Sequence, residues 1–119
     1  MSFKTLLAYQ KGFSLAMEIF HLSKEFPNSE QFGLTSQIVR SSRAVCSAIA
    51  EGYRKRQYEK HFKSKLSDAD SENSETQLWL DFAFACDYLE EDIKIELQNK
   101  SEEIGRFINY MMNNPEKFK

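Results

Sequence analysis

Six cations, Arg54, Lys55, Arg56, Lys60, Lys63 and Lys65, fall within twelve residues, with Tyr53, Tyr58 and His61 among them. Clustered lysine and arginine can neutralise phosphates and release counterions, and aromatic neighbours can add sequence-tolerant stacking on bases. The chemistry of this stretch is therefore contact with a nucleic-acid backbone. A plainer reading stands beside it: cations near the C-terminus of a helix are favoured by the helix dipole and solubilise the end of a bundle without any ligand.

A second constellation combines charges of both signs. Arg40, Arg43 and Glu51 lie in one helical segment, and four carboxylates occur between Asp68 and Gln77. Helical spacing brings several of those carboxylates against neighbouring helices, where a buried charge needs a partner. Arg40 or Arg43 is the expected partner of Glu72 or Glu75, which makes a polar seam that sets register. The alternatives are a solvated face, or arginines aimed at a subunit interface or an anionic ligand. Acid-base catalysis or a hard-metal site would require a second cluster, and the chain offers none.

Glu18 and His21 have the Glu-x-x-His spacing of carboxylate-bridged di-metal bundles. That site needs a second such pair, and the other histidine, His61, has Tyr58 three residues before it. No metal site and no cofactor are expected. Cys46 and Cys86 show no metal-ligand spacing and read as small buried thiols in a reducing compartment.

The elements that must position these residues are helices. The 119 residues contain two prolines and four glycines, and Val, Ile and Thr are sparse, which points to an all-helical chain. One domain spanning 1–119 is expected, with helices at about 6–26, 32–53, 58–88 and 92–113. Pro27 should end the first helix, and Gly52 should take a left-handed conformation that ends the second. Leu34, Ile38, Val45 and Ile49 make the core stripe of the second helix. Phe62, Leu66, Ala69, Asn73, Thr76, Leu80 and Phe84 make that of the third, apolar at both ends and polar in the middle. Apolar residues cover well over half of the first helix, either because it meets two neighbours in one bundle or because the protein self-associates. Short turns between four helices imply an up-down-up-down antiparallel bundle.

The formal charge of -2 excludes a protein that coats nucleic acid with its whole surface, so any such contact must be local. No apolar run approaches the length of a membrane span. A cytoplasmic protein without membrane contact is expected.

The segment FGLTSQIVRSSRAVCSAIAEGYRKR, followed by FKSKLSDADSENSETQLWLDFAFACDYL, resembles the four-helix-bundle proteins of the 23S rRNA intervening-sequence family, and the opening AYQKGFSLAMEIFHLSKEFP is similar to that family's first helix. The chain departs from the family at Val45, Cys46 and Ala48, where a proline and an asparagine are common. The resemblance implies a left-handed four-helix bundle and assembly into a homo-oligomer, with a pentamer favoured. A related branch, the accessory proteins of diversity-generating retroelements, implies engagement of RNA or DNA and of a protein partner.

These observations support a non-enzymatic, self-assembling bundle that binds nucleic acid through the corner between its second and third helices. The alternative is a structural or protein-interaction module without nucleic-acid contact, and a carboxylate metal enzyme is the third reading.

Overall fold

Four helices make up most of the computed structural model, which describes residues 2–119: α1 (Leu7–Ser23), α2 (Leu34–Arg54), α3 (Glu59–Ala85) and α4 (Glu91–Asn113). Short 3-10 turns at Phe3–Thr5, Asn28–Glu30 and Pro115–Lys117 flank them, and no strand occurs among the described residues. The class is all-α. The molecule measures 44 × 25 × 20 Å, as expected of helices of about 20 residues packed side by side at 1.5 Å rise per residue.

Cross-helix contacts define how the helices run. Arg40 meets Glu75 while Glu51 meets Lys65, so α2 and α3 are antiparallel. Asp81 meets Lys94 and Asn73 meets Ser101, so α3 and α4 are antiparallel too. Lys11 pairs with Glu103 and Glu18 with Lys100 between α1 and α4. Alongside α2, Gly12 of α1 lies at Val45 and Cys46 while Phe20 lies at Arg43. Each helix thus packs on its two neighbours, and α1 sits diagonally across from α3.

The core follows the apolar stripes except at the end of α3, where Ala83 is buried and Phe84, expected in the stripe, faces outward at 38% exposure. Ile19, Ile38, Ile49, Phe62, Leu66, Leu80, Ile104 and Ile108 are almost wholly excluded from solvent. At mid-height the core turns polar, as the pattern of α3 predicts. Asn73 donates to the Ser101 carbonyl at 2.8 Å and accepts from Ser101 Oγ at 2.9 Å. Ser41 and Thr76 share a hydrogen bond of 2.8 Å, and Gln77 donates to Ser101 Oγ at 2.9 Å. Every one of these groups is satisfied inside the bundle, which keeps the cost of burying them low.

Three helix ends differ from expectation for identifiable reasons. In α1 the α-helical ladder stops at Ser23, because Glu25 and Phe26 bond three residues back and tighten the last turn ahead of Pro27. Gly52 lies inside α2 with no positive φ; a Cβ there would stand 3.3 Å from Lys65 Cβ, so this glycine serves close approach of α3 rather than a helix stop. In α3 the helix closes at Ala85, where Asp87 takes φ 63° and Tyr88 N–H reaches back to the Ala83 carbonyl. That is the left-handed stop expected of glycine, with aspartate in its place.

Candidate nucleic-acid interface

The last turn of α2 carries Arg54, the linking residues carry Lys55 and Arg56, and the first two turns of α3 carry Lys60, Lys63 and Lys65. The close approach at Gly52 holds these two helix ends together. Carboxylates answer only part of the positive charge. Lys65 meets Glu51 at 3.3 Å, and Lys63 meets Glu59 at 3.8 Å along the same helix. Among the described residues no carboxylate lies within 4 Å of Arg54, Lys55, Arg56 or Lys60. Arg56 instead donates to the Tyr53 carbonyl at 3.0 Å and stacks over the Tyr53 ring, 4.2 Å from its centre. Tyr58 is 66% exposed and meets the edge of the His61 ring at 6.2 Å.

The cluster belongs to a larger asymmetry that composition hides. Halving the bundle across its helices leaves residues 2–14, 45–71 and 103–119 at the end of the α2/α3 corner, with eleven Lys or Arg against six Asp or Glu. The other half holds five against twelve, including Asp87, Glu90, Glu91 and Asp92 around the α3/α4 turn. A net charge near zero therefore covers a bundle with one positive and one negative end, and fields of this kind orient charged partners.

A hollow of about 530 Å³ opens beside the corner, lined by Ser2, Phe3, Ala50, Glu51, Tyr53, Arg54, Lys55 and Arg56.

The seam residues divide between two faces. Arg40 donates to Glu72 Oε2 at 3.0 Å and also to Glu75, and these hydrogen bonds hold its guanidinium protonated above the usual arginine range. Glu75 also accepts from the Trp79 indole at 3.3 Å. Arg43 lies against α1, its guanidinium 5.3 Å from the centre of the Phe20 ring. The arginine–carboxylate contact sits at the bundle's edge, with the Arg40 side chain 48% exposed. Glu51 faces α3 as Arg40 does, and accepts from Ser47 at 3.3 Å.

The remaining chemistry-bearing residues are separate. Glu18 accepts from Lys100 at 2.6 Å, which raises the Lys100 pKa, and His21 rests on Phe20. No group of three or more His, Cys, Asp or Glu that could hold a metal ion forms among the described residues. Cys46 is buried and Cys86 is exposed, so the expectation of two buried thiols holds for one of them. Burial pushes the Cys46 thiol up to about 11.

Two apolar surfaces lie exposed, one on the helix whose broad apolar arc suggested self-association and one that sequence reasoning missed. On α1, Phe13 and Met17 are exposed at a groove of about 340 Å³ that reaches α2. On α3, Leu78, Phe82 and Phe84 are exposed, and Phe82 lines a smaller groove with Trp79, Leu34 and Cys86. The excess of apolar positions on helix 1 signals the first, whereas no periodicity separates the second from the core stripe.

Residues 4–110 match the family described as 23S rRNA-intervening sequence protein. Among solved structures, a protein of unknown function from the S23 ribosomal protein family of Bacteroides thetaiotaomicron is similar to this chain, with a TM-score of 0.81 and 26% identity. That likeness covers 90% of this chain and 96% of the other. No curated protein matches. Among the described residues no helix is long and apolar enough to cross a membrane.

Proposed function

The chain belongs to the 23S rRNA-intervening sequence protein family, and on that premise we propose a non-enzymatic, self-assembling protein that binds RNA or DNA at the α2/α3 corner. The observation that carries this reading is the set of cations left without carboxylate partners, Arg54, Lys55, Arg56 and Lys60, at the positive end of a polarised bundle. Cations already paired with carboxylates gain little from a phosphate, whereas unpaired and exposed ones release its counterions at small cost. Lys63 and Lys65 act as supports: Lys65 ties α3 to Glu51 and holds the corner's shape.

Self-association is supported by the two apolar surfaces on diagonal helices. Two different patches per subunit suit a head-to-tail contact that closes into a ring, and a pentamer agrees with the family resemblance. A ring repeats the positive corner on one rim, so weak contacts add by avidity. A second reading, a protein-interaction module without nucleic acid, draws on the same exposed Phe13 and Phe82. The two free cysteines fit a cytoplasmic setting.

Fluorescence anisotropy with labelled oligonucleotides at about 50 and 200 mM salt tests the proposal. Affinity should fall by at least tenfold across that range, and the double variant Lys55→Glu/Lys60→Glu should lose binding at both salts. Binding that ignores the charge reversal would place the contact elsewhere and favour the protein-interaction module.

A further inference from the structure

We infer that the corner takes single-stranded rather than duplex nucleic acid, with unpaired bases lying on the Tyr58 ring and in the hollow beside Arg56. This rests on the proposed nucleic-acid reading and specifies its substrate class. Three features of the corner point the same way.

The first is the hollow itself. It is an open depression of about 530 Å³, a volume in the range of small-molecule pockets, roughly 300–1,000 Å³. A duplex presents a convex surface with its base faces buried in the stack, and leaves such a concavity empty. An unstacked nucleotide can enter it.

The second is the electrostatics of the hollow. The C-terminal end of α2 lines it, together with the Glu51 carboxylate. The Glu51 carboxylate is engaged by Lys65 and Ser47, and Arg54, Lys55 and Arg56 line the same hollow, so it offers cations to phosphate and helix-end carbonyls to the exocyclic amino groups of a base. The unpaired cations Arg54 and Lys55 stand at the same hollow, and Lys60 lies in the first turn of α3. Such a layout suits an unstacked nucleotide whose base and phosphate both reach the corner.

The third is the pair of flat platforms. The Arg56 guanidinium is fixed by its bond to the Tyr53 carbonyl and by the Tyr53 ring beneath it. Planar guanidinium groups stack on aromatic faces, bases included. Tyr58 presents a second ring, 66% exposed, with only an edge contact from His61. Stacking of this kind is available to bases that are not already stacked on one another.

Anisotropy titrations with a labelled 12-nucleotide oligouridine, the matching oligothymidine and a 12-base-pair duplex test the inference, using the full chain at low salt. Both single strands should bind at least tenfold more tightly than the duplex. Tyr58→Ala should weaken single-strand binding by roughly five- to thirtyfold, the loss of about one stacked base, and leave duplex binding unchanged. Tyr58→Phe should restore it, and circular dichroism should show the same helix content in all three proteins. Duplex binding as tight as single-strand binding, or a Tyr58→Ala variant without effect while Lys55→Glu/Lys60→Glu weakens everything, would overturn the base-stacking inference and leave the phosphate-binding corner intact. Failure of all three probes to bind would overturn both.

Discussion

Asn73 of α3 and Ser101 of α4 exchange hydrogen bonds in a part of the core that solvent does not reach: the Asn73 amide donates to the Ser101 carbonyl, and Ser101 Oγ donates to Asn73 Oδ1. Gly105 lies one turn further along α4, where a Cβ would stand 3.3 Å from Asn73 Nδ2. The amide thus has one position, and sliding α3 along α4 would strand it. Replacing Asn73 by Leu removes both bonds, leaves Ser101 with fewer partners and crowds Gly105. The expected cost is about 2–4 kcal/mol, read as a lower urea midpoint at unchanged slope. A midpoint equal to that of the parent protein would show that the polar layer has no part in register.

Arg40 spans Glu72 and Glu75, which lie one turn apart on α3 and repel each other without it. Its side chain is half exposed, so the contact is screened and its contribution is modest. Arg40→Ala should destabilise the fold by about 1 kcal/mol at low salt and by less at 0.5 M. Adding Glu72→Gln to that variant should recover part of the loss, because one repelling carboxylate is gone. Thermal melts of the single and double variants at both salts measure this.

Gly52 lets α2 approach α3 at the base of the corner, with Lys65 Cβ and Leu66 Cδ2 at 3.3 and 3.6 Å from the position of an added Cβ. Gly52→Leu should force the helix ends apart, at a cost of about 1–3 kcal/mol. The corner should also lose oligonucleotide affinity in step, since Arg54 and Lys60 would separate. A stable variant with full affinity would mean that spacing at the corner is unimportant.

Cys46 supplies a pH dependence. Its thiol is held neutral by burial, up to about 11 against an ordinary value of 9.0. Between those values the folded chain binds more protons than the unfolded chain, so stability falls as pH rises through the window and is unaffected below it. The loss approaches about 2–3 kcal/mol near pH 11, and a Cys46→Ala variant should lack that component of the decline. At pH 8 a thiol reagent should modify exposed Cys86 promptly and reach Cys46 only on unfolding. Equal rates at the two positions would contradict the burial.

Phe13 and Phe82 are 52% and 51% exposed on diagonal helices. If each belongs to one side of a head-to-tail contact, Phe13→Asp and Phe82→Asp should each reduce the solution mass measured by light scattering to that of a monomer, without loss of helix content. A parent protein that is already monomeric at micromolar concentration would remove the ring from the proposal.

Much of this molecule is legible along the chain because helical periodicity is a local property. The stripe of α2, that of α3 as far as Leu80, the polar break at Asn73 and Thr76, and the pairing of Arg40 or Arg43 with Glu72 or Glu75 all follow from side-chain directions at about 100° per residue, once the two helices are set antiparallel. The family is legible as well, since its motifs run through nearly the whole sequence. Gly52 misleads because a helix stop and a close helix approach both require a missing side chain, and the residue type alone does not distinguish them.

Tertiary structure decided the rest, for a physical reason common to each case. Whether Lys65 is free or bound to Glu51, whether Arg43 turns to α3 or to α1, and whether Phe82 is core or surface depend on the rotation of one helix about its axis relative to another. That rotation is set by the sum of many contacts across the bundle. The division of a chain of net charge -2 into a positive and a negative end arises in the same way: folding brings residues far apart in sequence to one end, and only their meeting makes a field.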